Sequence, residues 1–268
     1  MALRVSEWAA MLAAMRPPFA RALAGATLAF LVLAFGLPAA PGEAEELRVG
    51  AAASLRETVE AGARAFEAAH PGLRVRVSYG ASSSLAAQIR AGAPLDVLLS
   101  ADARIADTLS ADGLADPPRA LARNRLVAVA APGVELREAE GLLQLERIAV
   151  PEHAVPVGRY AREWLASRGW LARLRERLIA TEHARATLAA ADHGAVDAAL
   201  VYATDARLAR RATLAFEVSA DEQPEIVYAA CTLRRRGASP RAAAFVDWWG
   251  SDAGRALLEA AGFDAAAP

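Results

Sequence analysis

The chain has 268 residues, of which 55% are hydrophobic and 23% are charged, and its formal net charge is −1. This balance favours a packed core and excludes both extended disorder and the strongly basic surface that is typical of nucleic-acid-binding proteins. The single cysteine, Cys231, excludes an internal disulfide, so an exported chain of this composition would depend on its hydrophobic core for stability.

The first 44 residues have the layout of an export signal. Arg16 and Arg21 precede an uncharged apolar run at 22–37, and a proline and several small residues follow it. A basic flank, an apolar segment and a small-residue cleavage site are the parts of a secretory signal peptide. We therefore predict a signal peptide at 1–44, cleaved after Ala44. The alternative is a retained membrane anchor, but the run is shorter than the ~20 apolar residues that a spanning helix needs.

The first half of the remaining chain alternates between short apolar runs and segments with helical periodicity. The runs predict strands, and apolar residues spaced three and four apart predict helices. Predicted strands occupy 46–53, 73–79, 96–100 and 125–131, and predicted helices occupy 55–70, 85–91 and 103–112.

The second half of the chain repeats this alternation. Predicted strands occupy 147–150, 198–202 and 226–233, and predicted helices occupy 158–168, 171–178, 184–192, 240–249 and 252–261. Strands that are separated by helices predict α/β architecture, in which parallel sheets carry helices on both faces.

Two turns share one design. Residues 51–54 (AAAS) and 81–84 (ASSS) each follow a predicted strand and precede a predicted helix. A helix N-terminus presents unpaired N–H groups and a partial positive charge, and small side chains let a ligand approach those groups. Two such turns side by side predict an anion-binding site at the carboxyl ends of the strands. The alternative is plain helix capping, for which serine is favoured whatever the function.

A resemblance to a known family begins at these turns. The runs VGAAASL at 49–55 and YGASSSLAAQIRAGAPLDVLLSAD at 79–102 resemble the periplasmic molybdate-binding proteins of ABC transporters. Looser matches to the same family continue through the chain, at 124–133, 151–161, 181–185 and 196–206. The resemblance spans essentially all of residues 46–263.

The resemblance implies a two-lobe periplasmic-binding-protein fold. In this fold each lobe is a mostly parallel sheet flanked by helices, and two crossing strands join the lobes. We expect lobe 1 to comprise 45–126 and 230–268, and lobe 2 to comprise 127–229. The family holds its anion in the cleft between the lobes.

Matching the family motifs residue by residue implies five ligand-binding positions. They are Ser54, Ser83, Val157, Ala184 and Tyr202. The serines would donate through their hydroxyl and backbone N–H groups, the tyrosine through its hydroxyl group, and Val157 and Ala184 through their backbone N–H groups. One departure affects Val157, because the segment AVPEHAVPVG differs in length from the family's usual GDPEHVPAG.

All five groups are neutral donors, which favours a fully deprotonated oxyanion. The proton of hydrogen phosphate would lack an acceptor in such a site, and an unpaired buried donor costs about 1–3 kcal/mol. The donor set alone leaves sulfate, molybdate and tungstate open. The resemblance selects molybdate, with tungstate as a second ligand, and implies the permease subunits of an ABC transporter as partners of a monomeric, periplasmic protein.

Other function classes have less support in the sequence. The chain lacks the G-x-S-x-G motif of a serine hydrolase, so we expect no catalytic residue and no enzymatic activity. The four histidines lack the spacing of metal ligands, and we expect no cofactor and no metal beyond the molybdenum of the ligand itself. Two alternatives remain open: a sulfate-type oxyanion-binding protein, and a two-lobe ligand-sensing domain, although the export signal stands where such a regulator would carry its DNA-binding domain.

Overall fold

The computed structural model describes residues 45–266, so the predicted signal peptide at 1–44 lies outside the described residues. Within the compact unit Ala44–Pro268, two β-sheets are flanked by helices. The predicted α/β fold class is therefore confirmed. In the described part of the chain, no helix is long and apolar enough to cross a membrane.

The strands are short and distributed along the whole described chain. In chain order they are β1 (Glu45–Ala52), β2 (Leu73–Gly80), β3 (Val97–Ser100), β4 (Arg119–Asn124), β5 (Leu126–Ala130), β6 (Ile148–Pro151), β7 (Leu178–Thr181), β8 (Ala198–Tyr202), β9 (Thr213–Glu217), β10 (Ile226–Thr232) and β11 (Asp264–Ala265).

Helices connect most of these strands. They are α1 (Arg56–Ala69), α2 (Ser82–Arg90), α3 (Ala103–Ala111), α4 (Pro156–Ser167), α5 (Leu171–Leu174), α6 (Ala184–Asp192), α7 (Ala203–Ala206), α8 (Ala242–Trp248) and α9 (Asp252–Ala260). Short 3-10 turns occupy Ala53–Leu55, Ala139–Gln144 and Arg175–Arg177.

Each sheet combines parallel and antiparallel pairing. The first sheet has the strand order β11-β4-β10-β3-β1-β2, and the second has the order β7-β6-β8-β5-β9. In the first sheet β1 runs parallel to β2 and β3, whereas β10 runs antiparallel to β3 and β4. In the second sheet β6 runs parallel to β7 and β8, whereas β5 runs antiparallel to β8 and β9. The parallel strands are those whose connections pass through helices.

Two passages of the chain join the sheets. β4 ends at Asn124 in the first sheet, and β5 begins at Leu126 in the second. The chain returns between β9, which ends at Glu217, and β10, which begins at Ile226. The chain therefore re-enters the first sheet at Ile226. The segment predicted to return to lobe 1, 230–268, begins four residues later.

Several local predictions need correction. The predicted helix at 171–178 is an α-helix only to Leu174 and continues as a 3-10 turn at Arg175–Arg177, and the prediction is wrong at Leu178, where β7 begins. Four further strands, β4, β7, β9 and β11, are not predicted by the apolar pattern. β7, β9 and β11 lie at sheet edges, where Leu214 is 53% and Ile179 is 41% exposed, so they lack the continuous apolar run that marks a buried strand. β4 is rich in arginine and alanine, which hides its strand character.

The helices that follow β2 and β6 begin earlier than predicted. α2 begins at Ser82 and includes the serines of the predicted turn at 81–84, and α4 begins at Pro156. Proline is favoured in the first helical turn because its missing N–H would have no partner there. Both shifts bring the helix N-termini closer to the ends of the strands that precede them.

Candidate functional site

A small pocket lies between the helices of the two sheets. It encloses about 220 Å³ of empty space, open solvent at its mouth included. The lining residues come from four places where a helical segment begins and from the ends of β3 and β8: Ala52, Ala53, Ser54, Gly80, Ala81, Ser82, Ala101, Val155, Pro156, Val157, His183, Ala184 and Tyr202. Four of the five predicted ligand-binding residues, all except Ser83, thus line one pocket.

Ser54 lies in the 3-10 turn that joins β1 to α1. The preceding alanines are buried and fill little space, and Ser54 itself is 6% exposed. Its Oγ lies 2.9 Å from the hydroxyl oxygen of Tyr228, a residue of β10 that the sequence analysis did not single out. The hydroxyl of Ser54 is therefore held by a long-range contact at the edge of the pocket.

The second serine turn places a different residue in the pocket from the one predicted. Ser82, at the first position of α2, is 1% exposed and lines the pocket, and its Oγ accepts a hydrogen bond from the backbone N–H of Ala101 at 3.0 Å. Ser83 is half-buried and is not among the residues that line the pocket. Its assignment as a ligand remains a prediction. The helix α2 has no side-chain cap, so the N–H groups of its first turn stay available to a ligand.

Val157 lies in the first turn of α4. Val155 precedes the helix without a side-chain cap, Pro156 has no N–H, and Val157 is 1% exposed. The next residue must be glycine, because a Cβ at Gly158 would collide with the carbonyl oxygen of Pro151 at the end of β6. This close approach brings the free N–H groups of α4 to the pocket.

Ala184 is the first residue of α6, and His183 caps that helix. The Nδ1 of His183 accepts a hydrogen bond from the backbone N–H of Ala186 at 3.1 Å. Because this cap bond goes to Ala186, the N–H of Ala184 has no side-chain partner from the cap. His183 is thus a pocket residue with a capping role, which the sequence analysis did not foresee.

Tyr202 ends β8 and is 1% exposed. Among the described residues, no group forms a hydrogen bond with its hydroxyl, although the oxygen is fully buried. Burial raises the pKa of Tyr202 well above its ordinary value near 10, so the hydroxyl keeps its proton. An unpaired buried donor costs about 1–3 kcal/mol. A hydroxyl that lines the pocket in this state is suited to a ligand with an acceptor oxygen.

The pocket wall is neutral in the described residues. None of the lining residues carries a carboxylate, an ammonium or a guanidinium group. The available groups are hydroxyls and helix N-termini, which stabilise an anion through directed N–H and O–H donors and through the helix dipoles. The described residues also contain no group of three or more His, Cys, Asp or Glu side chains that could hold a metal ion.

Charged pairs cross from one lobe to the other beside the pocket. The Nη2 of Arg159 in α4 lies 2.8 Å from the Oδ2 of Asp102, which precedes α3. On α6, Arg185 forms an ion pair with Glu57 of α1. Arg159 lies two residues after Val157, and Arg185 lies one residue after Ala184. The helix ends that carry the predicted backbone donors therefore also contact the opposite lobe.

Arg185 also approaches Asp205, which is fully buried. The Nε of Arg185 and the Oδ1 of Asp205 are 3.0 Å apart, but neither atom makes a hydrogen bond in this arrangement. Burial outweighs the nearby guanidinium and raises the pKa of Asp205 to about 7. The carboxyl group is therefore partly protonated at neutral pH.

Comparisons with known proteins agree with this geometry. The model of a family described as bacterial extracellular solute-binding proteins matches residues 47–264. The molybdate-binding protein ModA of Mycobacterium tuberculosis is 32% identical over 238 residues, covering 84% of this chain and 87% of the relative. The periplasmic molybdate-binding protein of Azotobacter vinelandii superposes with a TM-score of 0.75 at 25% identity, covering 83% of this chain and 99% of that one.

A further solved structure shares the fold alone. The sulfate-binding protein SubI of Mycobacterium tuberculosis superposes with a TM-score of 0.71 at 17% identity. The match covers 84% of this chain and 88% of that structure. The two-lobe fold is therefore common to proteins named for different oxyanions.

Proposed function

The chain belongs to the family of bacterial extracellular solute-binding proteins, and we propose that it captures molybdate between its lobes and delivers it to the permease subunits of an ABC importer. Its relatives named above are molybdate-binding proteins that match over more than four fifths of the chain. Membership of an extracellular family supports an exported protein. We further propose that residues 1–44 are a signal peptide that is cleaved on export.

The observation that carries the proposal is the unpaired hydroxyl of Tyr202. It is buried, it belongs to a residue that lines the pocket, and no group among the described residues accepts its proton. Proteins bury an unpaired donor at a cost of about 1–3 kcal/mol, and binding of an anion would recover that cost. A merely structural tyrosine would have an acceptor within the fold.

The chemistry of the whole donor set supports an oxyanion without protons. Ser54, Val157, Ala184 and Tyr202 line the pocket with hydroxyl and helix-terminal donors, and Ser83 is the proposed fifth donor. Molybdate, tungstate and sulfate present only acceptor oxygens, whereas hydrogen phosphate brings a proton that would need an acceptor. We expect tungstate to bind with molybdate and phosphate to be rejected.

A sulfate-binding function is the second candidate. It has specific support in the fold shared with a sulfate-binding protein and in a donor set that suits any fully deprotonated tetrahedral oxyanion. The sequence relatives named for molybdate favour the first candidate. The relatives are named as binding proteins, and we accordingly propose neither a catalytic role nor a cofactor.

Titration calorimetry of the purified mature protein with molybdate, tungstate, sulfate and phosphate tests the proposal. Molybdate and tungstate should bind much more tightly than sulfate, and phosphate should not bind. A thermal shift provides a second measurement, since a ligand at 100 times its Kd stabilises the native state by about 2.7 kcal/mol. Tighter binding of sulfate would select the second candidate, and no binding of any tetrahedral oxyanion would refute both.

The proposed export and the oligomeric state have their own measurements. Mass spectrometry of the protein recovered from the periplasm should give a chain that begins at Glu45, after cleavage behind Ala44. Light scattering should give the mass of a monomer. An intact N-terminus on the exported protein would instead indicate a retained anchor.

A further inference from the structure

A chain of buried hydrogen bonds leads from the passage between the lobes to the pocket. Asn124 ends β4, and its Nδ2 lies 2.9 Å from the Oγ1 of Thr204 and 3.4 Å from the hydroxyl oxygen of Tyr228. The same hydroxyl oxygen lies 2.9 Å from the Oγ of Ser54. Asn124, Tyr228 and Ser54 are each at most 6% exposed, so water does not compete for these groups.

The orientation of the Asn124 amide is determined by a further bond. The Oδ1 of Asn124 accepts a hydrogen bond from the backbone N–H of Arg125 at 2.9 Å. The other terminal atom of the side chain is therefore the NH₂ group, which can only donate. Its two protons serve Thr204 and Tyr228.

The direction of the next bond follows from counting protons. Tyr228 accepts from Asn124, so its own hydroxyl proton needs a different partner. The Oγ of Ser54 is the one acceptor that this hydroxyl contacts among the described residues. If Ser54 donated instead, Tyr228 would hold an unpaired buried proton, which is unfavourable. Tyr228 therefore donates to Ser54, and the proton of Ser54 remains free to point into the pocket.

We propose that Asn124 and Tyr228 are positioning residues that orient the Ser54 hydroxyl so that its proton is directed at the bound anion. This inference rests on the proposed function, because it assigns a role to the second sphere of the same site. Asn124 and Tyr228 belong to β4 and β10, which flank the two passages between the lobes. Residues beside the two passages between the lobes would thus determine the orientation of the Ser54 hydroxyl in the pocket.

Packing keeps the Tyr228 ring in place. The ring is fully buried and makes edge-to-face contacts with Tyr202, at 5.6 Å between ring centroids, and with Phe263, at 5.0 Å. A phenylalanine at this position would keep these contacts and remove only the hydroxyl. The variant Tyr228→Phe therefore separates hydrogen bonding from packing.

A double-mutant cycle between Ser54→Ala and Tyr228→Phe tests the proposal, with the molybdate Kd of the mature protein measured by calorimetry. Tyr228→Phe should weaken binding by about threefold to tenfold when Ser54 is present, the effect of losing one ordinary hydrogen bond. It should change the Kd by less than about twofold in the Ser54→Ala background, where there is no hydroxyl to orient. Tyr79→Phe, which removes an exposed hydroxyl bonded to a backbone carbonyl, is the matched control and should bind as the wild type does.

Equal losses in both backgrounds would show that Tyr228 acts through packing on its neighbours, and this would overturn the proposal. An unchanged Kd for Tyr228→Phe alone would overturn it as well. A second cycle with Asn124→Ala and Ser54→Ala should show coupling of the same sign, so the test does not depend on one variant. If the wild type binds no oxyanion, the proposed function fails together with this inference, whereas binding without coupling refutes the inference alone.

Discussion

Replacing Tyr202 by phenylalanine gives the sharpest test of the pocket, because the expected effects on binding and on stability have opposite signs. The hydroxyl is buried and has no partner among the described residues, and a phenylalanine would keep the ring that packs against Tyr228. In the protein without ligand the substitution removes an unsatisfied donor. In the complex we expect it to remove the proposed hydrogen bond to the anion.

The magnitudes follow from the burial of this hydroxyl. A hydrogen bond to a charged acceptor contributes about 1.5–3 kcal/mol, so the Kd for molybdate should rise by about 10-fold to 150-fold. An unpaired buried donor costs about 1–3 kcal/mol, and each kcal/mol shifts the Tm of a domain of this size by about 2–4 °C. The unliganded Tyr202→Phe protein should therefore unfold about 2–12 °C above the wild type.

Titration calorimetry with molybdate and differential scanning calorimetry without it measure the two effects. Tyr79→Phe again serves as the control, because its exposed hydroxyl lies outside the pocket lining. An affinity within about twofold of the wild type would refute the assignment of the hydroxyl as a ligand donor. A lower Tm for the unliganded variant would refute the claim that the hydroxyl lacks a partner in the fold.

Three further predictions concern groups around the pocket. Ser83→Ala should weaken molybdate binding without changing the Tm, whereas Ser82→Ala should lower the free energy of unfolding by about 1 kcal/mol because it removes the bond to the backbone N–H of Ala101. Titration calorimetry measures the first effect and chemical denaturation the second. The reverse pattern would reassign the ligand role to Ser82. Because the pKa of Asp205 is about 7 in the folded protein and near 3.8 otherwise, the folded state binds the extra proton, and stability should fall as the pH rises from about 4 to about 7. Denaturation at several pH values should show that Asp205→Asn lacks this part of the fall, and identical pH profiles would contradict the shift. Glu57→Gln removes the charged partner of Arg185 on the opposite lobe and should speed molybdate dissociation by up to about fivefold at low salt, since an exposed pair contributes up to about 1 kcal/mol. Stopped-flow fluorescence measures the dissociation rate. An unchanged rate would show that the pair does not hold the lobes together.

Several features of the site could be predicted from the sequence because they depend on local chemistry. Small residues and serines between a strand and a helix indicate an exposed helix N-terminus, and Ser54 lies in the pocket as such a turn requires. The family motifs added Val157, Ala184 and Tyr202, which come from distant parts of the chain and line the same pocket. The α/β class was predictable because buried strands and amphipathic helices have different apolar periods.

Other features could not be predicted because they depend on residues that are far apart in sequence. Tyr228 is 174 positions from Ser54, and Asn124 is 104 positions from Tyr228, so no local pattern indicates their hydrogen bonds. The choice between Ser82 and Ser83 as a pocket residue depends on the rotation of α2 against the end of β3. The edge strands escaped detection because partial exposure removes the apolar run that identifies a buried strand.

The sequence by itself thus determined that a helix follows each of these strands and which turns offer free N–H and O–H donors, because capping and apolar periodicity act over a few residues. Only the tertiary structure decided which of these donors meet and in which direction each hydroxyl points. The reason is that the partners come from distant strands: the Tyr228 hydroxyl of β10 lies within hydrogen-bond distance of Ser54, and Asn124 of β4 donates to Tyr228. We propose that these two residues orient the Ser54 hydroxyl. The same packing buries the Tyr202 hydroxyl without a partner among the described residues.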